Sequence, residues 1–275
     1  MTLCIAAICQ DRGKPRIVVG TDWKASTVEA TAENQDKLRW VTDDMPMLLA
    51  GTVSRAIELQ AVYRQFFDSL SKLKPEVVAD EKNIGDLVRK PVALFKSKLA
   101  DEYVSLKFGL SYKDFREAVG KGQVPASVAT DTYTDIRNID LGCSIILPFF
   151  LGKDAYIFRV GSDGGVEECD NFAAIGSGSP IAEGVLFQRE QQDDMTLGRT
   201  VYHVYEAMKL GSIASDVGKE HTIDVLYPPG EKGKEMSGER LTEKAERFLQ
   251  RKFSRLGPKK FVNMPLPSKF WREDF

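Results

Sequence analysis

Histidine is almost missing from this chain: of 275 residues, only His203 and His221 carry an imidazole. A centre built from several histidine ligands is excluded, and a Ser-His-Asp relay would have to rest on one of these two. His203 falls inside a helical pattern between Val201 and Val204 and reads as a packing or solvent histidine. Cysteine is scarce too. Cys4, Cys9, Cys143 and Cys169 form no CxxC pair, which disfavours a zinc ribbon or a thioredoxin-like redox site. Four are too few for a disulfide framework, so reduced thiols in a cytoplasmic protein are expected. No apolar run approaches the roughly 18–20 residues of a membrane span. The apolar run Leu3–Cys9 has no basic region before it and no small-residue cleavage site after it, so a secretory signal is not expected. Charge of one sign is also lacking. With 38 basic and 40 acidic side chains the formal balance is −2, which argues against whole-surface attraction to nucleic acid or anionic membrane. There is no GxSxG elbow, no GxxxxGK[ST] phosphate loop and no HExxH pair, and neither a cofactor nor a metal is expected.

What remains is the ordinary mixture of a globular protein, long enough to bury a large core. Leu3–Cys9 suits a strand covered on both faces, the cluster Asp11–Pro15 a turn, and Arg16–Gly20 a second strand, so the chain opens on a hairpin. Lys37–Val41 and Met47–Ala50 are further short strands. From Val53 the period changes: Ala56, Leu59, Tyr63, Phe66, Leu70 and Leu73 mark an amphipathic helix. A second helix is expected over Ile84–Leu106, with Pro91 kinking it or marking its start. The polar, weakly periodic stretch 109–140 reads as an insertion or long loop. Strands return at 144–150, 155–160, 166–168 and 172–175. Ser179-Pro180 should then open a helix with the serine as cap. Leu197, Val201, Val204 and Met208 mark another, and Thr222–Tyr227 reads as a last strand. Strands, two helices, strands, two helices and a strand predict an α+β sandwich: two mainly antiparallel sheets between helical layers. The expected domain is 1–227, and 228–275 an extension. That tail carries +5 against −7 for the rest. Leu241, Ala245, Phe248, Lys252 and Leu256 fall on one face of a basic amphipathic helix, a surface element or a docking element for a neighbouring subunit.

Attack of a hydroxyl on a carbonyl needs a base, and histidine is the usual one. The start of this chain offers another. Thr2 follows Met1, and loss of an initiator methionine before a small residue would leave a threonine whose α-amine lies beside its own hydroxyl. Such an amine, with an unperturbed pKa of about 7.7–8.0, is partly unprotonated near neutrality and can serve as base. Asp22, in Gly20-Thr-Asp-Trp-Lys24, would lie beside the start of the first strand if the two strands pair, and Lys37 follows 15 residues later. A lysine near the amine would disfavour its protonated form, and a carboxylate would hold that lysine charged. Gly51, in Ala50-Gly51-Thr52, precedes a helix, where its N–H can point at a developing oxyanion.

Thr2, Gly20-Thr-Asp-Trp-Lys24, Lys37, Leu49-Ala-Gly51 and Ile175-Gly-Ser-Gly-Ser-Pro180, in this order, resemble the proteasome β-subunit superfamily of threonine peptidases, which includes the bacterial HslV-type and Anbu-type proteins. The opening Met-Thr-Leu-Cys is most similar to the bacterial, Anbu-like branch. The resemblance covers roughly 2–227 and implies the four-layer αββα Ntn-hydrolase fold. It further implies Thr2 as nucleophile, Asp22 and Lys37 as the pair that tunes its amine, and Gly51 as oxyanion donor. Ser177 falls near the terminal amine, Asp216 on the late aspartate of the network, and Ala25 and Ser26 on the segment that pairs with substrate. The serine usual three residues after that aspartate is Lys219 here, the first hairpin turn is longer, and neither 109–140 nor the tail has a counterpart. The implied activity is cleavage of peptides or unfolded protein by a homo-oligomer, ring or open helical ring, with an ATPase unfoldase as a possible partner. An Ntn acylase or amidase acting on a small amide, and a catalytically silent structural or binding member of the fold, are the alternatives.

Overall fold

The computed structural model describes residues 2–23, 25–26, 31–32, 37–43, 45–71, 84–214, 217–231 and 237–258. The chain opens with β1 (Cys4–Asp11) and β2 (Lys14–Asp22), joined by a turn in which Arg12 and Gly13 both take positive φ. Two short strands, β3 (Ala25–Ser26) and β4 (Thr31–Ala32), pair with each other. Next come β5 (Leu38–Thr42), β6 (Met45–Gly51), α1 (Val53–Ser71) and α2 (Ile84–Phe108). Then follow α3 (Tyr112–Gly120), α4 (Ala126–Arg137), β7 (Cys143–Leu151), β8 (Asp154–Val160), β9 (Val166–Glu168) and β10 (Phe172–Ile175). The remainder is α5 (Ser179–Gln188), α6 (Leu197–Gly211), β11 (His221–Tyr227), β12 (Ser237–Arg240) and α7 (Glu243–Leu256).

Two five-stranded antiparallel sheets result, ordered β10-β1-β2-β11-β12 and β5-β6-β7-β8-β9. Strand alternation assigns each side chain to a layer. On β6, Met47 and Leu49 face α1 and α2, joining Leu59 and Tyr63 of the first helix and Val92 and Phe95 of the second. Leu48 and Ala50 point the other way, onto Cys4, Ala6 and Ile8 of β1 and Ile17 and Val19 of β2. The far face of the first sheet packs on α5 and α6. There a Cβ at Gly20 would lie 3.0 Å from both Val204 and Met208, so glycine lets the helix approach the strand closely. The layers run helices, sheet, sheet, helices, which is the α+β sandwich expected. The apolar opening segment is buried on both faces because β1 lies inside both this sheet and the sandwich.

Four local expectations are corrected. The stretch 109–140, read as an insertion or long loop, contains α3 and α4. Each is short and hangs on few apolar contacts, chiefly Phe115 stacked 5.0 Å from Phe108 and edge-on to Tyr133, so no extended periodicity arises. The cap of α5 is Gly178, and Ser179 is already helical, its Oγ donating to the carbonyl of Gly176 at 2.8 Å. Of the two readings of Pro91, the helix start is the one corrected: α2 begins at Ile84, as expected, and encloses the buried proline. The strand at 222–227 is not the last, since β12 pairs with β11 and Arg240 bonds Asp224 across the ladder. Leu73, assigned to the first helix, lies outside the described residues. Residues from Thr242 form a compact unit of their own, in which the Thr242 hydroxyl caps α7 and the helix ends at Gly257, before Pro258.

His203 is a packing residue. It is 3 % exposed on α6, with Nδ1 2.9 Å from Oε1 of Gln191, whose amide nitrogen bonds the Ile8 carbonyl at 3.1 Å and so ties helix to strand. Burial, helped by Arg199 and Arg189, pushes its pKa down to about 4. The unfolded chain therefore binds this proton near pH 6.5 and the folded chain only near pH 4. Stability is fully present above the first value and is lost as pH falls towards the second. Urea midpoints measured across this window should decline with acidification, and His203→Gln, which retains an amide to face Gln191, should flatten the slope. An equal slope in the variant would show that His203 does not titrate this way.

Candidate active site

The β1–β2 hairpin pairs Cys4 with Thr21, which brings residue 22 back to the residue following Thr2. The Asp22 N–H donates to the Leu3 carbonyl at 3.1 Å, and the Leu3 N–H donates to Asp22 Oδ1 at 2.8 Å. The same Oδ1 accepts from Lys37 Nζ at 2.5 Å, and Oδ2 accepts from the Gly218 N–H at 2.9 Å. Asp22 is fully buried, Lys37 is 8 % exposed and Thr2 6 %. A carboxylate so deeply buried is tolerable only when paired and hydrogen-bonded, which these donors achieve. One oxygen is thus shared by the peptide N–H beside Thr2 and the lysine ammonium.

Two contacts of Leu49 place Lys37. Its N–H donates to the Lys37 carbonyl at 3.1 Å, while its carbonyl accepts from the Cys4 thiol at 3.4 Å. Strand β6 thereby bridges the lysine to the first strand, and Gly51 closes the same strand two residues on. Its φ is +103°, and a Cβ would stand 2.7 Å from the Gly142 carbonyl, so no other residue fits this turn.

Ser177 stands exposed on the turn leaving β10. Its neighbour Gly176 has φ +97°, and a Cβ there would lie 2.0 Å from the carbonyl oxygen of Thr2. That turn therefore sits directly on the first described residue. Ala25 and Ser26 form β3, paired with Ala32 and Thr31. Asp216 lies outside the described residues, between Ala214 and a buried Val217, and Lys219 is exposed. Lys37 and the backbone N–H that follows Thr2 are thus gathered on the Asp22 carboxylate, with Gly51 at the end of the strand that holds the lysine.

Three neighbours escaped the sequence reading. Gly218 supplies a backbone donor and Gly176 supplies space, roles that leave no side-chain signature. His221 stands opposite Asp22 in the β2–β11 register, its ring 5.4 Å from that of Tyr205. Burial, with Lys209 next in effect, pushes its pKa down to about 4, so it is neutral near pH 7 and does not compete with Lys37 for the carboxylate. Cys9, Cys143 and Cys169 do not supply an alternative nucleophile. Burial pushes Cys9 up to about 12 and Cys143 and Cys169 to about 11, leaving them protonated near neutrality. Among the described residues no three His, Cys, Asp or Glu side chains converge to hold a metal ion, and no helix is long and apolar enough to cross a membrane.

Residues 123–227 match the sequence model of the proteasome subunit family. The matched segment runs from α4 to β11 and includes Ser177 and Gly218, whereas Thr2, Asp22, Lys37 and Gly51 precede it. No curated protein sequence matches the chain. Among solved structures, the chain is similar to the Anbu (Gly-1) mutant from Hyphomicrobium sp. strain MC1, with a TM-score of 0.55 and 17 % identity over 93 % of this chain and 94 % of that one. At that identity the likeness speaks for the fold, and it spans nearly the whole of both molecules. The second half of the chain thus matches the proteasome subunit family, and the chain from end to end shares the fold of the Anbu-type structure.

Proposed function

We propose that the chain is an N-terminal threonine peptidase. One observation carries this reading: the buried Asp22 carboxylate holds the Lys37 ammonium and the backbone adjoining Thr2 on a single oxygen. Removal of Met1 frees the Thr2 α-amine. The nearby ammonium disfavours a second positive charge, which keeps the amine available as a base. The amine takes the hydroxyl proton as Oγ attacks the scissile carbonyl, and the Gly51 N–H stabilises the oxyanion. Collapse breaks the C–N bond, and the proton passes from the α-amine to the departing amine. Water, deprotonated by the same amine, then attacks the ester on Thr2, releasing the acid and restoring the hydroxyl. Ser177 and Asp216 complete the surroundings of the amine in this reading, and Ala25 and Ser26 hold the acyl side of the peptide as an added strand. The protein works in the cytoplasm on peptides or unfolded chains.

An electrophile that bonds both the hydroxyl and the α-amine, read by intact mass, tests the core of the proposal. Active material should lack one methionine and gain one adduct, Thr2→Ala should gain none, and Thr2→Ser should retain part of the reactivity. Cleavage of peptides by material that keeps Met1 would refute the reading, because a peptide nitrogen has no basic lone pair.

Lys37→Ala should slow acylation by roughly 10²–10⁴-fold. Since it also strands a buried carboxylate, the paired variant Asp22→Asn/Lys37→Met separates the two effects. It should regain most of the lost thermal stability without regaining acylation. Acylation at the original rate in either variant would remove Lys37 from the mechanism.

The same reading includes a homo-oligomer. Large apolar side chains stand exposed on the helical face, Val53 and Ile57 on α1 and Leu94 and Leu106 on α2, the last 90 % exposed. Light scattering at micromolar concentration should give a mass several times the 30.7 kDa of one chain. A monomer would contradict assembly.

A further inference from the structure

One cavity is left unused by this machinery. A cleft of about 620 Å³ opens where β10, the edge of the first sheet, meets β8 and β9 of the second. Its lining includes Ser144, Arg159, Asp163, Glu167, Gly176 and Ser179. Gly176 is the glycine seated on the Thr2 carbonyl, and Ser144 stands opposite Ala50, one residue before Gly51. The cleft therefore borders the turn seated on Thr2 and the strand that pairs with the end of β6.

The sheet order decides which half of a substrate it would meet. Strand β3 continues from the β2 side of β1, whereas β10 flanks β1 on the opposite side. A peptide whose acyl half pairs with β3 must carry its other half past Thr2 towards β10. The charges of the cleft then bear on that half. Arg159 is engaged by Glu183 at 2.8 Å and by Glu167 at 2.5 Å. Asp163 is exposed; its Oδ1 accepts the Gly165 N–H at 2.8 Å, and Lys96 Nζ donates to its backbone carbonyl. Arg159 is thus matched by two carboxylates, and the Asp163 carboxylate has no cation among these contacts.

Resting on the peptidase reading, we propose that this cleft receives the leaving-group half of the peptide and favours a basic side chain directly after the scissile bond. Asp163 is the residue that sets the preference.

Internally quenched peptides identical on the acyl side, with Lys, Ala or Glu after the scissile bond, provide the test. Wild-type kcat/KM should be about two- to fivefold higher for Lys than for Glu at low ionic strength, the ratio falling towards one in high salt. Asp163→Asn, which keeps an oxygen for the Gly165 N–H, should bring the ratio close to one, and Asp163→Lys should reverse it. Equal rates for the three peptides, or a Lys preference that survives both substitutions, would overturn the inference. Labelling of Thr2 by the electrophile, run alongside, tells the two failures apart. A labelled enzyme without charge preference loses only the leaving-group subsite, whereas an enzyme neither labelled nor active loses the peptidase reading and the subsite with it.

Discussion

The carboxylate of Asp22 is the point on which the first half of the molecule depends. A fully buried anion is costly, and breaking a buried pair by removing one partner typically costs about 3–5 kcal/mol. Here the charge is met by Lys37 and by two backbone N–H groups, from Leu3 and Gly218, so that three separate stretches of chain are drawn to one side chain. The cost explains the precision: the lysine cannot leave without stranding the anion, and the first strand cannot slip register without losing the Leu3 bond.

Around that point the sandwich does the positioning. The lysine precedes β5 and hangs on Leu49 of β6, while its carboxylate partner Asp22 lies in the other sheet. The geometry therefore relies on the packing between sheets, where Leu48, Ala50 and Ile146 meet Cys4, Ala6 and Ile17. Close-packed interiors resist such displacement. A small loss of packing there would reach the ammonium before it reached the surface.

Much of this was legible in the sequence, and the gaps have physical causes. The both-sided burial of β1 showed as an unbroken apolar run, and α1 and α2 as three- and four-residue recurrences. Asp22, Lys37 and Gly51 were readable because each is a charged residue or a glycine at or beside a strand end. The small helices α3 and α4 were not, since each offers only one or two buried anchors, Phe115 in one and Ala129 and Thr132 in the other. The contributions of Gly218 and Gly176 were hidden for another reason. A backbone N–H and an absent Cβ look alike wherever they occur, and only the register of distant strands gives them a role. His221 became visible as a neighbour of Asp22 only once β11 was seen to pair with β2 rather than with another strand.

The distance along the chain between these partners also governs when the site can come into being. Strand β1 is flanked by β2, its immediate successor, and by β10, more than half the chain away. The second oxygen of Asp22 finds its donor only at Gly218. During synthesis, which proceeds from the amino end at about 5–20 residues per second, the hairpin emerges before the rest of the cluster and waits roughly 10–40 seconds for the turn at Gly218. Thr2 is thus the first residue of the site to leave the ribosome and among the last to be enclosed. A nascent chain carries the Thr2 hydroxyl and Asp22 together long before it has Gly218 and β10 around them, so the order of the sequence itself leaves this cluster incomplete until the fold is nearly whole.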